Sequence, residues 1–102
     1  MAVGAEYLTK LRRAVRIKTA TADSTAELTD LIEEARRDME SLGVLVAKTT
    51  DETDALILGA IRCFVRWKMA QTPEDAAADH DNYMTSRDEL RHKSAYTEAV
   101  TA

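Results

Sequence analysis

Residues 24–43 read STAELTDLIEEARRDMESLG, and this stretch decides the fold class. Leu28, Leu31, Ile32, Ala35, Met39 and Leu42 recur at intervals of three and four, the spacing that returns side chains to one face of an α-helix turning about 100° per residue. Every other position through Ser41 is polar or charged apart from the small Ala26. Ser24 followed by Glu27 has the form of a capping box and marks the helix start, while Gly43 tolerates the left-handed backbone on which helices commonly end. A helix with one narrow apolar stripe must bury that stripe against further elements.

Working outward, the neighbouring segments supply helices. Leu8, Leu11, Ala14 and Val15 predict a first helix over residues 5–16, with Lys10, Arg12, Arg13 and Arg16 assigned to the opposite side. Residues 19–23 are small and polar and read as a connector, as does the short apolar run Val44-Leu45-Val46. Thr50 or Asp51 is placed to cap a third helix carrying Glu52 and Asp54 in its first turn. Apolar residues cover most of that helix, leaving only a strip around Ala55, Gly59, Arg62 and Arg66 for water, so it is expected at the centre of a small bundle. Ile57, Ile61, Phe64 and Val65 are expected to face inward. Leu56, Cys63 and Trp67 are left over, to be covered by another subunit or by the first or last helix of the same chain.

Thr72-Pro73-Glu74-Asp75 combines a cap residue, a first-turn proline and an acidic third position, and starts a last helix running to about residue 93 on a thin stripe of Ala76, His80, Tyr83, Arg87 and Leu90. Beyond it, Tyr96 and Val100 sit in a small polar segment with no helical stripe. The expectation is an all-α fold, a four-helix bundle over residues 1–93, with a flexible tail over 94–102 that is extended or ordered on binding.

Composition agrees. The chain has 102 residues, enough for one core, and is 45% apolar but only 5% aromatic, with three glycines and one proline, which suits packed helices better than turn-rich β architecture. Cys63 is the only cysteine and lies in an apolar run, the setting of an inert buried thiol made in a reducing cytosol. No segment approaches the length of a membrane span and the N-terminus lacks an apolar signal region, so a soluble protein made inside the cell is expected.

The net charge of −4 is unevenly spread. Residues 1–22 carry five basic and one acidic side chain, 23–54 three basic and ten acidic, and 55–71 three basic and none acidic. Such sorting fits two arrangements: head-to-tail association of identical subunits, or charge pairing between helices of one chain.

Motifs for chemistry are missing from the pattern. Gly4, Gly43 and Gly59 are scattered singly, so there is no phosphate-cradling loop. His80 and His92 are the only imidazoles, and Cys63 would have to ionise inside the most apolar helix. Asp79-His80-Asp81 are consecutive and point apart on a helix, and Asp88 with His92 makes an ordinary pair. No catalytic role, metal or cofactor is expected. The run from Lys10 to Lys18 is the best nucleic-acid candidate, and the alternative reading is a small DNA-associated or regulatory helical protein using that basic helix.

Taken together, the Leu8, Leu11, Val15, Ile17 helix, the Leu31-Ile32-x-x-Ala35 stretch running to Leu42-Gly43-Val44, the acidic opening and apolar body of the third helix, Pro73, and the ending Tyr83, Leu90, Ser94, Tyr96 resemble the head-tail connector (adaptor) proteins of long-tailed double-stranded DNA bacteriophages. The resemblance covers nearly the whole chain, with Gln71-Thr72 standing where that family often has glycine or asparagine. It implies a ring of about twelve identical subunits, located at the virion head-tail junction. The portal protein would lie above, a stopper or tail-completion protein below, and DNA would pass as cargo through the channel. It also implies no catalytic residues. On that reading Lys10, Arg12, Arg13 and Arg16 lie at a subunit or channel surface, Leu56, Cys63 and Trp67 near a subunit contact, and Tyr96, Thr97 and Val100 in a segment that docks on a partner.

Overall fold

The computed structural model describes residues 3–15 and 22–98. Among them are six helices and no strand: α1 (Ala5–Val15), α2 (Ala22–Ser41), α3 (Val46–Thr49), α4 (Ala55–Lys68), α5 (Pro73–Arg91) and α6 (Ser94–Thr97). The fold is all-α, as the periodicity requires. Two of the six are single turns, α3 and α6, in segments that carry no helical stripe of their own.

α4 is the hub. It lies along α5 and packs also on α2 and α1. Ile57, Ile61, Phe64 and Val65 are all buried, and Ala60 joins them. They meet Leu28, Ile32, Ala35 and Met39 of α2, Tyr7, Leu8 and Leu11 of α1, and Tyr83 and Leu90 of α5 in one cluster. Arg62 and Arg66 stay exposed on the strip expected to face water. Tyr7 was absent from the expected stripe; standing four residues before Leu11, it shares that residue's face.

Helix ends follow local chemistry, with two corrections. α2 already runs at Ala22, so Ser24 lies inside its first turn rather than ahead of it. Its far end closes as expected: Gly43 has φ of 102°, Val44 N–H donates to the Met39 carbonyl and Gly43 N–H to that of Glu40, and buried Val44 packs into the core beside Met39. The cap of α4 is Asp54, not Thr50 or Asp51. Asp51 Oδ1 is engaged by the Thr53 N–H and hydroxyl in a local turn, whereas Asp54 Oδ1 accepts from the N–H groups of Leu56 and Ile57 at 2.9 and 3.0 Å. Glu52 therefore stands outside the helix. α5 starts as its sequence dictates, with Thr72 Oγ1 accepting from Asp75 N–H at 3.2 Å and Pro73 at the first helical position.

The expected extended tail is also corrected for its described part. Residues 94–97 form α6, and Tyr96 is tied to its own chain: its carbonyl accepts from Leu45 N–H at 2.8 Å and its hydroxyl donates to Asp54 Oδ2 at 2.8 Å. Lys48 Nζ lies 5.6 Å from the centre of the Tyr96 ring. The physical reason is that Tyr96 adds one amphipathic ring to a site already built by α3 and the start of α4. Val100 lies outside the described residues.

Candidate interaction surfaces

The basic face of α1 is narrower than expected. Lys10 and Arg13 are exposed beside Glu6 and Thr9. Arg12 is half-buried and donates to Thr25 Oγ1 at 2.8 Å, fastening α1 to α2. Its place follows from geometry: four residues past buried Leu8, Arg12 lies only about 40° from it and so flanks the stripe instead of opposing it. Arg16 lies outside the described residues.

The three residues left over on α4 do not act together. Trp67 lines a groove of about 450 Å³ between α2, α4 and α5, walled by Phe64, Tyr83 and Met84 and rimmed by Arg37, Lys68, Arg87, Glu34 and Asp38. The ring of Trp67 is half-covered by its own chain, with His80 at 4.5 Å between ring centroids and Lys68 Nζ 4.1 Å over its face. Leu56 and Cys63 instead line a second groove, of about 370 Å³, between α4 and α5. The two grooves use different residues beyond α4, His80, Met84 and Arg87 of α5 for the first, and Ser86 and Glu89 of α5 with Lys93 just past its end for the second, and so open on opposite flanks of the α4–α5 pair. Leu56 is 51% exposed, and only Val46, at 57%, is more so among the large apolar residues described. Burial raises the Cys63 thiol above its ordinary range, with Asp79 adding to the effect.

Charge is distributed by surface. The exposed side of α2 is an acidic ridge of Glu27, Asp30 and Glu34, with half-buried Glu33 beside it and Arg37 as the intervening cation. Three ion pairs join distant segments: Arg36–Glu52 at 3.3 Å, Arg66–Asp79 at 3.6 Å and Arg87–Asp38 at 2.9 Å. Lys10, Arg13 and Arg62 form no ion pair among the described residues.

Two polar nodes escaped the sequence reading. Arg36, buried on α2, donates to the Thr49 carbonyl at 3.1 Å and to Glu52 Oε2, and Glu52 in turn accepts the Gly4 N–H at 2.9 Å. A β-carbon at Gly4 would collide with the Glu52 carboxylate. The second node is Asp38, whose Oδ2 accepts from both the Tyr83 hydroxyl and Arg87 Nη1. The first gives the buried Arg36 charge the hydrogen-bonded partner that burial requires, and the second does the same for the half-buried Asp38 and Arg87. The available signal was weak: Arg36 stands four residues after Ile32, on the apolar side of α2.

Of Asp79, His80 and Asp81, the last two lie side by side, His80 Nδ1 3.5 Å from Asp81 Oδ1, while Asp79 turns to Arg66. Asp79 is buried against Arg66, His80 lies on Trp67, and the Asp81 side chain is 83% exposed. His92 Nδ1 lies 2.8 Å from the Asp88 carbonyl, and the Asp88 carboxylate pairs with Arg91. Among the described residues no three of His, Cys, Asp and Glu converge on a point, and no helix is long and apolar enough to cross a membrane. No protein-family model matches the chain, and neither a curated protein nor a solved structure is significantly similar to it.

Proposed function

We propose that this chain is a head-tail connector of a long-tailed double-stranded DNA bacteriophage, a structural protein that works as a ring of identical copies under the portal. The observation that carries the reading is the sorting of surface: an acidic ridge on α2 and, on α1 and α4, the exposed cations Lys10, Arg13 and Arg62, which form no ion pair among the described residues, beside Val46, Leu56 and Met84 at 57, 51 and 37% exposure. A molecule with complementary charges on separate faces is suited to meeting copies of itself and larger assemblies.

In this role the ring joins the capsid to a stopper or tail component and leaves an axial path for DNA. The rival, a DNA-associated protein acting through α1, is left with Lys10 and Arg13 as its exposed described cations, because Arg12 is bonded to Thr25. Mixing the purified chain with its cognate portal protein should give a stoichiometric ring by electron microscopy, with weak or no duplex binding at physiological salt. Tight duplex binding that falls steeply with ionic strength, without portal-dependent assembly, would instead establish the rival.

A further inference from the structure

The second groove, on the outer flank of α4 and α5, has small and apolar residues in its floor, Leu56, Gly59 and Cys63 among them. Its charged lining is Arg62, Arg66 and Lys93 against one carboxylate, Glu89. Arg62 has no ion pair among the described residues, and Arg66 reaches Asp79 only at 3.6 Å with its side chain 52% exposed. The groove is therefore basic over an apolar floor. α2 packs its buried Ile32 and Ala35 into the core against the inner side of α4, so its exposed acidic ridge faces away from that groove.

A basic surface and an acidic one that point away from each other cannot neutralise within one molecule, but they can between two. We infer that the α4–α5 groove receives the α2 ridge of a second copy, head to tail, with Arg62, Arg66 and Lys93 set against Glu27, Asp30 and Glu34 of that copy. Gly59 supports the assignment. A β-carbon there would meet nothing within 4 Å in its own chain, so the protein keeps an unfavourable helix-interior glycine that its own packing does not need. A helix laid across the groove does need it, for close approach. The contact joins unlike surfaces and so propagates from copy to copy, giving a ring where the rotation per copy divides a full turn and an open filament where it does not. The inference rests on the connector reading and names the contact by which the ring would be built.

Charge reversal tests it. One variant carries Arg62→Glu with Lys93→Glu, reversing the groove, and another carries Glu27→Lys with Glu34→Lys, reversing the ridge; all four positions are exposed, and circular dichroism checks that both variants fold. Sedimentation across a micromolar to millimolar range should show the unaltered chain associating, less so at high salt. Each variant alone should associate at least about tenfold more weakly, and an equimolar mixture of the two should recover association, since each reversed groove then faces a reversed ridge. An unaltered chain that stays monomeric throughout, variants that associate as it does, or a mixture that stays apart would each overturn the inference. The portal experiment reads separately: portal-bound rings indifferent to the reversals remove this interface and leave the connector reading standing, whereas charge-dependent self-association without portal binding does the reverse.

Discussion

Tyr7 and Tyr83 are buried to the same degree, at 2% and 1% exposure, yet their hydroxyls are treated oppositely. Tyr83 donates to Asp38, whereas the Tyr7 hydroxyl has no hydrogen-bond partner among the described residues. Tyr83→Phe should therefore destabilise the fold by about 1.5–3 kcal/mol, the worth of a bond to a charged group, while Tyr7→Phe should be neutral or stabilising by up to about 1 kcal/mol. Chemical denaturation of the two variants at neutral pH checks the contrast. Alkaline pH separates them further, because burial pushes the Tyr7 phenol from 10.0 up to about 12. The folded state favours the neutral phenol, so this contribution is intact below pH 10 and is lost as pH rises through about 12, where the unfolded chain has already released its proton. The loss amounts to about 2–3 kcal/mol. Tyr7→Phe should lack this share, so its stability should fall less steeply between pH 10 and 12 than that of the unaltered chain, both keeping the contribution of Tyr83, whose phenol is also raised by burial and by its bond to Asp38.

At the scale of elements, helix identity was legible wherever a stripe existed, and the misreadings fall where side chains compete for backbone groups. Thr50, Asp51 and Asp54 are all competent caps. Asp51 is claimed by Thr53, an interaction that also holds its carboxyl below the usual range, which leaves Asp54 to cap α4. Arg12 shows the complementary case, a residue at the edge of a stripe whose fate depended on Thr25 being within reach. Gly59 provides a test at this scale. With space above it and no unusual backbone angle to maintain, Gly59→Ala should stabilise the isolated chain by about 0.5–1 kcal/mol through helix propensity. Thermal unfolding of the dilute protein measures this; a loss of stability there would show that the chain's own packing needs the glycine.

For the whole molecule, the main consequence concerns the C-terminal segment. Because Tyr96 is bonded to Leu45 and Asp54, ending the chain after Lys93 removes a piece of the fold along with any docking segment. Ending it after Glu98 leaves α6 in place. The first truncation should lower stability by about 1–3 kcal/mol, the worth of its two hydrogen bonds and the partly buried ring, and the second should leave the unfolding midpoint unchanged. A chain ended after Glu98 that folds normally but fails to bind portal would place the docking contact in the last four residues. Equal portal binding by it and the full chain would remove that role from them.

The linear order of residues was sufficient for the all-helical class, for α4 as the hub and for the start of α5, because periodicity, caps and proline act within a few neighbours along the chain. It also contained the charge sorting, which is a matter of counting. Tertiary structure alone decided which charges are neutralised: Arg36 meets Glu52, and Asp38 meets Arg87, across 16 and 49 positions of sequence. It alone split Trp67 from Leu56 and Cys63 onto different flanks, and drew Tyr96 back onto its own chain. Those outcomes depend on how the helices lie against one another, and packing direction is a property of the assembled core that no local spacing encodes.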